Sequence, residues 1–367
     1  MALLKDLTVD GKGYYGIGAS AVDKRDDLYT YLRITDIRDD GTLNMDDLKS
    51  VDDPDASKYL LKPNDIVFAR TGASTGRNYF YDGSDGTFVY AGFLIKFSID
   101  PNKVNPLFVK YYCQSAQYRN WISSFSTGST RGNINAQTLG NMEIPLPTRE
   151  QQDFLVSVLA PMDAKIKQNT KINDNLQQQA QAIYTSMFID NADPAWEQGH
   201  LSDLITVKYG KDHKKLADGK YPVFGSGGIM RYVERPLYTG ESVLIPRKGT
   251  LNNVMYVNEP FWSVDTMFFT EMKIPNVAKF VFHFVKAKDL ASMNAGSAVP
   301  SMTTDILNAM ELSIPSAELL AEFESVVAPM YQAMQANNRE SSKLAELRDN
   351  LLPKLMSGEV DVSSIQL

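Results

Sequence analysis

Thr148 to Phe188 reads TREQQDFLVSVLAPMDAKIKQNTKINDNLQQQAQAIYTSMF. From Leu159 its apolar residues step by three and four, through Met162, Ile166, Leu176, Ala180, Ile183 and Met187. That spacing is the seam of a coiled coil. Asn169 and Asn173 interrupt it at seam positions, where a buried amide costs stability but fixes register. Thr148 stands as the helix cap, with Gln151 three residues on to close a capping box. Pro161 removes one helical hydrogen bond and crowds the preceding turn. The expectation is a short helix to about Leu159, a kink, and a long helix opening at Pro161.

The stretch returns. Residues 316–356 read SAELLAEFESVVAPMYQAMQANNRESSKLAELRDNLLPKLM. Ala160-Pro161-Met162 comes back as Ala328-Pro329-Met330, and the same shift of 168 carries Asn169 onto Asn337 and Leu176 onto Leu344. The second seam runs Val327, Met330, Met334, Asn337, Leu344, Leu351 and Leu355. A proline and a seam asparagine at matching places in both copies mark an internal duplication. The expected fold class is α+β, with two mixed α/β domains joined by two long helices that pair as a coiled coil in a pseudo-two-fold repeat. The boundaries are 1–147 for the first domain, 148–188 for the first helical region, 189–315 for linker and second domain, 316–357 for the second helical region, and 358–367 for a C-terminal tail.

Between the helices the two domains echo each other. Strands are expected at Tyr29–Ile34, Asp65–Arg70, Arg77–Tyr81 and Phe88–Phe97, then a helix over Pro106–Ser123 and a strand at Met142–Leu146. The second half repeats them as Glu241–Arg247, Asn253–Val257, Phe261–Thr270, Lys279–Lys286 and Met310–Pro315, after a linker at 189–200. The offset slides from 177 at Arg70/Arg247 to 168 at Gly128/Gly296, so the framework is shared and the loops are not. Divergent loops on one scaffold are what two binding specificities look like.

With 367 residues and 43% apolar residues the chain is long enough for two or three domains with sizeable cores. Its one cysteine, Cys113, cannot form an intrachain disulfide, which fits a reducing cytoplasm. No signal peptide and no apolar run of membrane-spanning length is visible, so a cytoplasmic protein without a membrane is expected. The net charge of −7 hides strong local differences. Residues 101–142 hold Lys103, Lys110, Arg119 and Arg131 and no acid; residues 205–250 hold nine Lys or Arg against four acids.

No constellation for catalysis emerges. Gly72-Ala-Ser-Thr-Gly76 lacks the spacing and final Lys-Ser/Thr of a Walker A loop and reads as a turn. Asn258-Glu-Pro-Phe261 has Glu where amino-methyltransferases carry Pro, and no glycine-rich fingerprint precedes it. The acids at Asp36, Asp39, Asp40, Asp46, Asp47, Asp52, Asp53 and Asp55 fit no EF-hand spacing and read as a solvated face. His200, His213 and His283 have no metal-ligand spacing, and His283 falls in an apolar helix as a core residue.

The polar loops are the candidate contacts to DNA. In the first domain these are Arg70, Thr71, Ser74, Thr75 and Arg77, then Ser129, Thr130, Arg131 and Asn133. In the second they are Lys211, Lys214, Lys215, Ser226, Arg231, Arg247, Lys248, Thr250, Asn252 and Asn253. Arg and Asn side chains match guanine and adenine edges, and hydroxyls and lysines match phosphates. For any single residue solvation is an equal reading; as sets, the loops read as DNA contacts.

With these residues in view, the chain resembles the specificity subunit of a type I restriction-modification system. The carriers are the two-fold repeat, IPLPTREQQDFLVSVLAPMDAKI and LRDNLLPKLMSGEVDV, with YLRITDI, GSTRGNINAQTL, YPVFGSGGI and FWSVDTMFF. The resemblance implies two target recognition domains, each reading one half of a split double-stranded DNA site. The paired helices would run antiparallel as a coiled coil, set the gap and dock two modification subunits, with restriction subunits joining through the complex. It also implies a non-catalytic chain that binds no cofactor. S-adenosylmethionine, ATP and Mg2+ would act on other subunits. A helix from Pro161 to Phe188 would span about 40 Å, a little over the roughly 34–36 Å of one turn of B-DNA. A specificity subunit for a methylation-only complex, and a protein-binding scaffold without DNA specificity, stand as the alternatives.

Overall fold

The same sheet is built twice. In the computed structural model, which describes residues 1–45, 47–125, 133–293 and 301–357, the chain divides into two compact units: Met1–Gln168 with the segment from Glu340, and Asn169–Arg339. The first unit orders strands Tyr14–Tyr15, Leu94–Ser98, Asp65–Ala69 and Asn78–Tyr81 into an antiparallel sheet. The second orders Ile205–Tyr209, Met267–Met272, Glu241–Pro246 and Met255–Asn258 in the same way. Asp65–Ala69 is buried along its whole length, and Glu241–Pro246 at all but its first residue. Covered on both faces, each reads as a continuous apolar run and not as an alternating one.

Each unit adds a second sheet that ends in a parallel pair, Tyr29–Leu32 with Phe88–Tyr90 in one and Asp218–Gly225 with Trp262–Ser263 in the other. A short antiparallel pair completes each: Ala2–Leu3 with Glu143–Ile144, and Glu197–His200 with Glu311–Ile314.

The long helices are Arg149–Thr185, closed by a π-turn over Ser186–Asp190, and Ala317–Ser357. Each contributes one part to each unit. The expected start is present. The Thr148 N–H donates to Gln151 Oε1 (3.1 Å) and the Gln151 N–H donates to Thr148 Oγ1 (3.4 Å). The expected break is not: helix runs unbroken through Pro161. Proline removes one N–H donor and crowds the turn before it, but flanking turns bury Leu159 against the first unit's core. That packing outweighs one lost hydrogen bond.

The helices pair antiparallel inside each unit. In the second unit Asn169, fully buried, donates to the Asn337 carbonyl (3.3 Å), and Asn337 donates to Asn173 Oδ1 (2.8 Å). Asn173 in turn donates to Asn338 Oδ1 (2.8 Å). Ala180, Tyr184 and Phe188 meet Leu320, Phe323 and Val327 in one core. In the first unit Leu155 and Leu159 share a core with Leu352. There Asp163 accepts from Lys110 (2.6 Å), the Tyr111 hydroxyl (2.9 Å) and Arg348 (2.9 Å). Burial disfavours the Asp163 charge, yet Lys110 and Arg348 hold this carboxyl below the usual carboxylate range. Every seam residue named from the sequence is buried or half-buried, namely Leu159, Met162, Ile166, Asn169, Leu176, Ile183, Val327, Met330, Met334, Asn337, Leu344 and Leu351.

Five local expectations change. Phe88–Phe97 is two strands, because Phe88–Tyr90 belongs to one sheet and Leu94–Ser98 to the other; the chain crosses in a turn where the Leu94 N–H donates to the Ala91 carbonyl (2.8 Å). The copy turns alike, Met267 N–H to Val264 carbonyl (2.9 Å), so Phe261–Thr270 is also divided. Pro106–Ser123 is two helices, Pro106–Tyr112 and Ala116–Ser123, since Ser115 caps the second by accepting from the Tyr118 N–H (3.2 Å). The linker at 189–200 ends in strand Glu197–His200. Asp36 is not solvated: it is buried and takes a two-pronged contact from Arg33 at 2.7 and 3.1 Å.

Candidate nucleic-acid interface

In each unit an inner strand of the antiparallel sheet, Asp65–Ala69 or Glu241–Pro246, is followed at once by an arginine. In the first unit the Arg70 N–H donates to the Phe93 carbonyl (3.0 Å) and the Arg70 carbonyl accepts from the Ile134 N–H (2.9 Å). In the second the Arg247 N–H donates to the Thr266 carbonyl (2.8 Å) and its carbonyl accepts from the Met302 N–H (2.9 Å). The next residues, Thr71 and Lys248, form isolated antiparallel bridges with Asn133 and Ser301. Both arginine backbones are therefore fixed on both sides.

Their side chains are also placed alike. The Arg70 guanidinium lies 5.0 Å from the ring centre of Tyr15, and that of Arg247 lies 5.5 Å from the ring centre of Tyr209. Cation and ring attract at this range. The tyrosines hold corresponding places in the sheet, Tyr15 opposite Ile95 and Tyr209 opposite Phe268. A glycine follows each. A Cβ on Gly16 would come within 2.2 Å of the Tyr90 carbonyl oxygen, and one on Gly210 within 2.0 Å of the Val264 carbonyl oxygen. Only glycine lets the strand approach the crossing turn so closely.

The other residues singled out in the sequence divide. In the first unit Ser74 is buried and the Thr75 hydroxyl donates to the Gly72 carbonyl (2.8 Å), so both hold the turn together. Arg77 is committed to Asp39 (2.6 Å) and the Ile37 carbonyl (3.3 Å). Asn133 is exposed; Ser129, Thr130 and Arg131 lie outside the described residues. In the second unit Ser226 and Asn253 come together, Asn253 donating to the Ser226 carbonyl (2.8 Å), while Lys248 and Thr250 on the turn after Arg247 are exposed. Asn252 braces that turn, donating to Asp289 (3.0 Å) and accepting from the Ala291 N–H (3.0 Å). Lys211 is exposed, its backbone tied to the Ser263 carbonyl and Trp262 Nε1, both at 2.8 Å. Lys214 and Lys215 sit on an exposed turn. Arg231 is turned to Asp218 (2.7 Å) and the Leu216 carbonyl (2.9 Å), away from that cluster in its bonding.

Tyr15 and Tyr209 were not among the sequence candidates. A signal existed: the dipeptide Tyr-Gly opens each domain, at Tyr15-Gly16 and Tyr209-Gly210. Its two copies stand 194 residues apart and not 168, because the loops between them differ in length.

A family model described as "Type I restriction modification DNA specificity domain" matches residues 23–178 and again 194–319. A specificity subunit of the type I restriction enzyme HindI from Haemophilus influenzae is 21% identical, over 92% of this chain and 97% of its own. The MjaIX specificity subunit from Methanocaldococcus jannaschii is also 21% identical, over 70% of each chain. Among solved structures, a type I restriction-modification S subunit from M. genitalium superimposes with a TM-score of 0.59 at 20% identity, covering 96% of this chain and 95% of its own.

Proposed function

Because this chain belongs to the type I restriction-modification DNA specificity family, we propose that it reads a split, asymmetric DNA target, one half-site per unit, for a complex whose chemistry resides on other subunits. One observation carries the reading: two units of the same topology each set an arginine at the same place in the sheet, while the residues around it differ. A shared frame supplies docking; unshared loops supply two different specificities.

In this proposal the paired helices fix the gap between half-sites. A helix rises about 1.5 Å per residue, so the 37 residues of Arg149–Thr185 amount to roughly 55 Å. The Asn169–Asn337 contact, joining equivalent residues of the repeat, locks the register on which that gap depends. The same helices dock two modification subunits, which supply methyl transfer from S-adenosylmethionine. Restriction subunits, which use ATP and Mg2+, join through the complex. With the chain at −7, those partners supply part of the phosphate-facing surface.

The test is methylome sequencing of cells that express the chain with the modification subunits of its own system, and of matched cells without the chain. Methylated adenines in a split, asymmetric motif that vanish without the chain are expected. Unchanged methylation would overturn the proposal.

A further inference from the structure

We propose that Tyr15 and Tyr209 are positioning residues that hold the Arg70 and Arg247 guanidiniums as base readers, one guanine contact in each half-site; this rests on the DNA-reading role proposed above. Four observations carry it. Each arginine backbone is pinned by hydrogen bonds at both its N–H and its carbonyl, so the side chain leaves a fixed point. Each guanidinium lies over a tyrosine ring, at 5.0 and 5.5 Å. Such a contact occupies a face of the guanidinium and does not use up its N–H donors. Tyr15 and Tyr209 are 42% and 53% exposed, so the pair stands at the surface. Finally, the Arg70 side chain makes no hydrogen bond among the described residues, and its Nε is buried without a partner. The donors left for a ligand are therefore its terminal nitrogens, since the Nε is shut off from solvent.

The ligand chemistry follows from the donor geometry. A planar fork held in one orientation matches two acceptors at a fixed spacing, the O6 and N7 of guanine in the major groove. Arg77 is paired with Asp39, and Arg231 gives a terminal nitrogen to Asp218 and the Leu216 carbonyl. Arg247 spends one terminal nitrogen on the Asp265 carbonyl (3.0 Å), which fixes its plane and leaves the other edge for the base.

The experiment uses the full complex. Arg70→Lys, Arg247→Lys, and Phe and Leu variants of Tyr15 and Tyr209 are each scored by methylome sequencing and by binding to duplexes altered at single bases. Each arginine variant should relax the motif at one guanine in one half-site and leave the other half-site as strict as before. Tyr209→Phe keeps the ring and should stay near wild type, while Tyr209→Leu should weaken discrimination at that guanine on the order of tenfold. Tyr15→Phe also loses the bond that its hydroxyl accepts from the Ala136 N–H, so Tyr209 is the cleaner arm. Should a Leu variant fail to assemble, the arginine variants carry the test, since they leave both rings in place. Uniform loss across all sequences with a shallower salt dependence would make the arginines phosphate clamps and overturn the proposal. Equal effects of Phe and Leu, or no effect of Arg→Lys, would also overturn it. A wild-type complex without any sequence preference would instead defeat the DNA-reading role itself.

Discussion

His283 bridges the two long helices inside the second unit. It has no exposed surface, and its ring nitrogens meet Gln181 Oε1 (2.8 Å) and the Tyr331 hydroxyl (2.9 Å), one on each long helix. Burial, followed by Lys286, lowers its pKa from 6.5 to about 4. The folded value lies below the unfolded one, so as pH falls the unfolded chain takes up the proton first. The stability tied to neutral His283 is therefore complete above about pH 6.5 and drains away toward pH 4, by about 3 kcal/mol in all. His283→Phe should lose that much less stability than wild type between pH 7.5 and pH 4. Urea unfolding at both pH values checks it, and equal acid losses would refute it. Lys279 is buried beside it, 2.8 Å from Glu241 and 2.6 Å from Glu324. Lys279→Met leaves two partly buried carboxylates facing each other and should cost the second unit about 3–5 kcal/mol. Adding Glu241→Gln and Glu324→Gln should recover most of it; a triple variant as weak as the single one would speak against a charge effect.

Among the elements, the two long helices raise the question of why asparagine occupies the seam. Asn169 is fully buried, and its contact to Asn337 joins positions 168 residues apart, the period of the repeat. Leucine at both places would bury more apolar surface and free the register. Asn169→Leu with Asn337→Leu should raise the melting temperature while the purified chain begins to self-associate. Melting curves with sedimentation measure both, and a lower melting temperature with unchanged association would sink the idea. The break expected at Pro161 shows the limit of local rules here: the proline's cost of about 3 kcal/mol is offset by Leu155 and Leu159, packed in the core just before it, and by Asp163, bound to Lys110, Tyr111 and Arg348 just after it.

For the whole molecule, spacing is the quantity at stake. Deleting one heptad from each long helix removes about 10 Å of helix rise, close to three base pairs of duplex at 3.4 Å per step. The variant's methylated motif should keep both half-sites and shorten its unspecified spacer by about that number. An unchanged spacer would rule out the helices as the ruler.

The sequence alone determined the duplication, the helical regions, the antiparallel pairing and the strand-rich character of each domain. The duplication, the helical regions and the strands rest on periodicity and repetition, which are properties of the chain in order; the antiparallel direction of the pair came with the family resemblance. Arg70 and Arg247 were also legible, as polar residues closing apolar strands. What only the tertiary structure decided is which polar residues are already spent. Arg77, Arg231, Asn252 and Asn253 resemble Arg70 in sequence, but Asp39, Asp218, Asp289 and the Ser226 carbonyl occupy them. It likewise placed Tyr15 under Arg70 and Tyr209 under Arg247, 55 and 38 residues away along the chain. Partners so distant are set by sheet order and strand register, which no local pattern of residues encodes.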